Sequence, residues 1–391
     1  MQDGEHQGPP APSPHGERPP AGASTAAAPE ADRPKPRGGF LAWVRGHKIV
    51  TAAVVTLFLL ATAAGAYGLY LNSLLGGVTY LPENSSPPEE TRPEPTETGA
   101  LTILLAGADN GPGADIAKSM AADEWPKDEH RSDTIMVLHL PEDRKKAYLL
   151  SIPRDSYVQI YDGNGEPVGK DKINSAFADY GPPGYISTVE HLVGIRMDHL
   201  AILDWAGFKD IVDALGGVTV YVPETTEPDP KLDDIVFEKG YNELDGETAL
   251  KYVRSRVNFA LQDIGRIDRQ QNFLRAVVEK IDDTGMVTSP HAFSQTFKAI
   301  ADNLTVDAEW DSGELRSFAW SVRNLQSKDL KAMSAPLDEV DPFPTIDGVG
   351  SVVQLDIKAI RDLFEAMKDD EAGDYLRKHD DLLLGDPEDI E

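Results

Sequence analysis

The chain has 391 residues, with 37 lysines and arginines against 66 acids, a formal charge of −29 and no cysteine. Such a length suffices for one large or two ordinary domains once polar flanks are set aside. The missing cysteines exclude disulfides, thiolate metal sites and thiol nucleophiles, and the acidic excess argues against nonspecific nucleic-acid binding by the bulk surface.

Residues 1–48 open on a stretch of Pro, Ala, Gly and charged residues without the apolar content of a core. They read as a disordered cytoplasmic tail. Residues 49–71 then run for 23 residues without a charge. As a helix this run reaches about 34 Å, enough for a bilayer core. It is too long, and too far from the start, for a cleavable signal peptide. Arg33, Lys35, Arg37, Arg45 and Lys48 precede it, so the positive-inside rule keeps the N-terminus cytoplasmic and exports everything after Leu71. Residues 72–98, with Pro87, Pro88, Pro93 and Pro95 among glutamates, read as a stalk. A folded domain is expected over 99–379, followed by a disordered acidic tail over 380–391.

Within that domain, residues 101–109 form an apolar strand ending at Asp109, and 111–129 a polar insertion. Arg131-Ser132-Asp133-Thr134 opens a second buried strand; residues 147–152 make a third, running into Pro153-Arg154-Asp155. The turn between them is short enough for an antiparallel hairpin. Asp109, Arg131, Asp133 and Arg154 then meet at one rim of the sheet. Helices are expected from Lys172 and over 184–193, 208–215, 293–304, 312–324 and 355–367. Strands are expected at 200–204, 217–222, 330–334 and 351–353, with a polar loop over 223–236. Asp245 caps a helix that delivers the chain to Arg254. Strands alternating with helices predict one α/β domain with a mixed central β-sheet flanked by helices, behind one N-terminal transmembrane helix.

Residues 252–271 carry the densest chemistry. Arg254 and Arg256 are two apart and share a side if the segment is extended. Arg266, Arg269 and Gln270 follow at i, i+3, i+4 on a helix. Guanidinium groups are permanent cations whose planar fork suits phosphate or carboxylate oxygens. The plain alternative is a set of surface arginines paired with Asp263 and Asp268. In so acidic a chain, a cluster of arginines points instead to an anionic ligand. Asp109 and Asp133 have a plain reading as turn caps, Arg154 as a partner of Asp155, and Gln270 as a helix-surface amide.

Taken together, Gly107-Ala108-Asp109, Arg131-Ser132-Asp133-Thr134, Ser151-Ile152-Pro153-Arg154-Asp155, Lys172-Ile173-Asn174-Ser175-Ala176 and Asp213-Ala214-Leu215-Gly216-Gly217-Val218 form an ordered series of motifs. Leu244-Asp245-Gly246-Glu247-Thr248-Ala249-Leu250, Tyr252-Val253-Arg254-Ser255-Arg256 and Gly265-Arg266-Ile267-Asp268-Arg269-Gln270 complete it. The series resembles the LytR-CpsA-Psr (LCP) family of bacterial cell-envelope enzymes. One departure is the stretch between Arg256 and Asp263, which lacks the glycines often found there. The resemblance implies a phosphotransferase that moves an anionic glycopolymer from a polyprenyl-pyrophosphate carrier onto peptidoglycan, with a long apolar pocket for the lipid. It implies pyrophosphate binding by Arg131, Arg154, Arg254, Arg256, Arg266 and Gln270, with Lys172 a weaker match. Asp109 and Asp133 would serve Mg²⁺, Mn²⁺ being an alternative ion, and either acid would deprotonate the acceptor hydroxyl, Asp109 being favoured because Arg131 would hold Asp133. A pyrophosphatase using the same residues, a noncatalytic lipid-carrier module and an envelope regulator of transcription are the competing readings. The nearly neutral cytoplasmic tail offers the last no DNA-binding surface.

Overall fold

In a computed structural model, which describes residues 62, 68–70, 73–96, 98–110, 115–122, 125–255, 262–283 and 290–385, the described residues from Gly68 onwards form one compact unit. The elements follow the hydrophobic pattern closely. After the edge strand β1 (Thr79–Tyr80) come β2 (Leu101–Asn110), the short helix α1 (Ile116–Met120), β3 (His130–Leu140) and β4 (Ala147–Ile152). A hairpin of β5 (Tyr157–Tyr161) and β6 (Pro167–Lys172) leads into α2 (Asn174–Val193), β7 (His199–Asp204) and α3 (Trp205–Ala214). A second hairpin of β8 (Val218–Val222) and β9 (Gly240–Leu244) precedes α4 (Gly246–Arg254) and α5 (Gln262–Asp283). The chain ends through α6 (Pro290–Asn303), β10 (Leu304–Val306), α7 (Ser312–Val322), β11 (Leu330–Ser334), α8 (Ile357–Lys368) and α9 (Ala372–Leu376).

Among the described residues, seven strands form one sheet in the order β1-β10-β7-β2-β3-β4-β11. It is mixed: β7 runs parallel to β2, and β3 antiparallel to both β2 and β4. The central strands are apolar on both sides because both faces are covered. Leu104, Ala106 and Ala108 of β2 face a core shared with Phe177, Tyr185 and Val189 of α2 and Leu363 of α8. Ile103 turns the other way, to a core with Ala301, Trp310 and Leu315. A third cluster joins α3, α4 and α5 to the β8–β9 hairpin through Val212, Val220, Tyr252 and Phe273.

Two expected helices near 172–193 are the two halves of α2, which breaks at Gly181 (φ 64°, ψ −166°) before Pro182 and Pro183. A left-handed turn packed against Trp125 explains the glycine: a Cβ there would stand 3.0 Å from the indole. Lys172 itself lies on β6, before the helix begins. Strand β9 was not expected; its alternating Tyr-Asn-Glu has too little apolar content to stand out.

Three expectations need correction. Residues 74–92, read as stalk, are part of the domain: Leu75, Val78 and Leu81 are buried, and β1 pairs with β10. Arg92 closes a buried ion pair with Glu190 at 2.7 Å, tying this strap to α2. The acidic tail packs at its start, where Leu383 pairs with Met333 and the Leu384 amide donates to Ala332. Arg254 is helical, the last residue of α4, so it does not share an extended segment with Arg256. The 1–48 tail, Arg256 and all but residues 62 and 68–70 of the expected 49–71 span lie outside the described residues. Among the described residues, no helix is long and apolar enough to cross a membrane.

Candidate functional site

Strand β2 delivers Asp109 to the rim. Leu105, Gly107 and Asp109 alternate onto one face, and Asp109 sits opposite Arg131 in the β2–β3 ladder. Between the pairs Ala108–Ser132 and Gly107–Thr134 the register slips, leaving Asp133 as the extra residue of a β-bulge. Bulges bend a strand and re-aim its side chains. Here the Asp133 carboxylate accepts from Arg154 Nη1 at 2.5 Å, just past the end of β4. Arg154 Nε also donates to Asp155 Oδ2 at 3.3 Å, and Lys172 Nζ reaches Asp155 Oδ1 at 2.9 Å. The result is an unbroken line of alternating charge, Asp133–Arg154–Asp155–Lys172. Burial pushes the Asp155 carboxyl upward, but the bond from Lys172 and the charge of Arg154 outweigh it and hold the group below the usual range.

From the opposite side, α4 ends at Arg254, where the helix dipole favours a cation. Its Nη2 stands 3.8 Å from Asp109 Oδ2, and its guanidinium lies 5.6 Å from the centre of the Trp205 ring. That separation is an ion pair rather than a hydrogen bond, and both side chains are exposed enough to take a ligand.

Beneath this pair lies an apolar cavity of about 250 Å³, walled by Leu105, Gly107, Leu203, Trp205, Phe208 and Phe273 among others. Gly107 is required there, since a Cβ would come within 2.8 Å of Thr134 Cβ. Gln270, buried, and Thr134 are polar members of the wall. A second apolar cavity of about 410 Å³ shares Ile300 and Leu304 with the first and runs on between β3, α5, α6 and α7.

Asp109, Asp133, Arg154, Lys172 and Arg254 therefore assemble at one end of the sheet. Arg131 is at the same rim but is largely exposed, 3.8 Å from Asp128, so the partner of Asp133 is Arg154 and not Arg131. Arg266 lies on α5 as expected, while its side chain, like Arg256 altogether, is outside the described residues. Arg269 turns inward over the Tyr252 ring, where burial draws its guanidinium down to about 10. Sequence reasoning missed Trp205 and the bridging role of Asp155. The position of Trp205 directly after a strand end and its helix N-cap, Asp204, was the available signal.

Among the described residues there is no group of three His, Asp or Glu able to cage a metal ion. Asp109 and Asp133 still offer hard oxygens. Mg²⁺ usually takes one or two carboxylates together with phosphate oxygens and waters. The donor set fits an ion that arrives with a phosphate ligand.

The LytR_cpsA_psr family model matches residues 79–369. The chain belongs to the LytR-CpsA-Psr family. The cell wall biosynthesis protein LcpA of Corynebacterium glutamicum, a relative, is 30% identical over 301 residues, 68% of this chain and 55% of LcpA. TagV of Bacillus subtilis, named as a polyisoprenyl-teichoic acid–peptidoglycan teichoic acid transferase, is 36% identical over 161 residues, 40% of each chain. The chain thus spans about half the length, or less, of these curated relatives. The crystal structure of B. subtilis TagV matches with a TM-score of 0.55 at 26% identity, over 69% of this chain and 97% of TagV. The mixed sheet flanked by helices is the LytR-CpsA-Psr fold.

Proposed function

We propose that this member of the LytR-CpsA-Psr family is a phosphotransferase attaching an anionic glycopolymer, carried on polyprenyl pyrophosphate, to a peptidoglycan sugar hydroxyl. The observation that carries the reading is the pair of adjoining apolar cavities ending under Trp205 and Val253, beside Arg254 and Asp109. A greasy chain and a doubly charged headgroup are the two halves of such a donor, and the two halves of the site match them. The transferase name of TagV supports the same reaction class.

In the reaction, the acceptor hydroxyl oxygen bonds to the phosphorus nearest the glycan while the bond to the bridging oxygen breaks. Polyprenyl phosphate leaves with that oxygen, and the glycan is left on the acceptor through a phosphodiester. Arg154 and Arg254 stabilise the charge gathering on the leaving phosphate, joined by Arg131, Arg256 and Arg266; Lys172 steadies Arg154 through Asp155. Gln270 closes the cavity wall next to the headgroup. Asp133 is locked to Arg154 at 2.5 Å, whereas Asp109 stands 3.8 Å from Arg254. Asp109 is therefore the carboxylate with room to receive the hydroxyl proton. Asp109 and Asp133, together with the pyrophosphate, would hold Mg²⁺ or Mn²⁺, which would supply further neutralisation of the phosphate oxygens. The uncharged run over 49–71 anchors the chain, leaving the N-terminus cytoplasmic and the catalytic domain outside the cell.

The test is turnover of a lipid-pyrophosphate glycan donor with and without peptidoglycan fragments. A covalent conjugate that requires the acceptor is expected. Release of free glycan phosphate at the same rate with or without acceptor would instead make the enzyme a pyrophosphatase.

A further inference from the structure

Helix α7 carries a surface that the reaction does not use. Trp320 is 68% exposed, and the Arg323 guanidinium stacks on its ring with 3.9 Å to the centroid. Arg323 Nη1 also donates to the Trp320 carbonyl at 2.5 Å, which holds the pair together. Arg316, exposed one turn earlier, falls on the same side at i, i+4, i+7. Glu314 falls round the other side of the helix, while the charge of Arg316 reaches the N-cap Asp311. The outer strip is thus basic and aromatic in a chain with a formal charge of −29.

Its location gives the strip meaning. The inner side of α7, through Leu315, Phe318, Ala319 and Val322, walls the 410 Å³ cavity, and Arg323 stands on the same wall. Leu75 and Val78 line it too, only a few residues after the uncharged run that ends at Leu71. Indole rings and arginines are the side chains that settle at the headgroup level of a bilayer, the ring in the acyl boundary and the cation on lipid phosphate.

We propose that Arg316, Trp320 and Arg323 form a contact surface for an anionic phospholipid bilayer, at the mouth of the larger cavity. Resting there, the domain takes a prenyl chain from the membrane into the cavity without exposing it to water. The proposal rests on the anchoring of residues 49–71, and the experiment separates the two.

The chain has no cysteine, so Ser317→Cys, an exposed position beside Trp320, accepts a single nitroxide. The labelled full chain is reconstituted into phosphatidylglycerol-containing vesicles, floated, and probed with oxygen and a water-soluble nickel chelate. Flotation together with a label reached more often by oxygen than by nickel is expected. The double change Arg316→Glu, Arg323→Glu should shift that ratio towards nickel. A floated chain whose label favours nickel overturns the contact surface and leaves the anchor standing. So does a label shielded from both reagents, because the strip then faces a protein partner or a second copy. A chain that fails to float overturns the anchor, and the contact surface with it.

Discussion

Replacing Arg254 with alanine separates a catalytic role from a structural one. Arg254 and Asp109 are 43% and 40% exposed and 3.8 Å apart. At that separation the Coulomb attraction is about 1 kcal/mol in water, and exposed pairs retain roughly 0–1 kcal/mol after side-chain ordering. Deletion should therefore lower the melting temperature by no more than about 2–4 °C in a domain of this size. Charge developing on a leaving phosphate is a different case, since a pre-placed donor in a site of this kind contributes about 2.7–4 kcal/mol, or 10²–10³ in rate. The expected outcome is a fall of about 10²–10³ in single-turnover transfer with nearly unchanged thermal melting. Arg254→Lys should recover only part of the rate, because an ammonium lacks the two-pronged fit to phosphate oxygens. Transfer within threefold of wild type, or a rate loss that merely tracks a large fall in melting temperature, would refute the assignment.

Asp155 is held below the usual carboxylate range in the fold, so its stabilising contribution is complete above about pH 4 and lost as pH falls through the lowered value. Asp155→Asn should flatten the dependence of melting temperature on pH below about 4, and an unchanged acid limb would contradict the pairing. Arg92→Ala strands the buried Glu190 carboxylate, whose carboxyl burial already raises, and should cost roughly 3–5 kcal/mol in urea unfolding. A cost near zero would show that residues 74–92 are not integral to the domain. Ala201→Phe fills the 250 Å³ cavity beside Leu105 and Leu203. It should raise KM for long-prenyl donors while sparing donors with truncated chains, at a cost of about 1–3 kcal/mol in stability. Equal effects on both donors would separate the cavity from lipid binding.

The central strands were legible because burial on both faces leaves uninterrupted apolar runs such as residues 103–106. The meeting of Asp109, Asp133 and Arg154 was legible as well, because the short turn between β3 and β4 sets those strands antiparallel and brings the end of β4 back beside the start of β3. What stayed hidden is tertiary. Residues 74–92 look like a linker in composition, and what clasps them to the domain comes from far along the chain, as with Glu190, 98 positions after Arg92. The bulge at Asp133 leaves no mark in a hydrophobicity pattern, yet it decides that Arg154 and not Arg131 holds that carboxylate. The i, i+2 spacing of Arg254 and Arg256 has meaning only on an extended segment, and the helix that Asp245 begins runs on through Arg254.

The line from Asp133 to Lys172 has an electrostatic corollary. Together with the Arg254–Asp109 and Arg131–Asp128 pairs, it makes the described rim formally neutral, four cations against four carboxylates. A dianion entering such a rim finds oriented dipoles but no surplus of positive charge. Its tight retention then requires cations from elsewhere, whether a divalent ion travelling with it or the guanidiniums at 256 and 266, so donor affinity should depend steeply on whatever brings in those two missing charges.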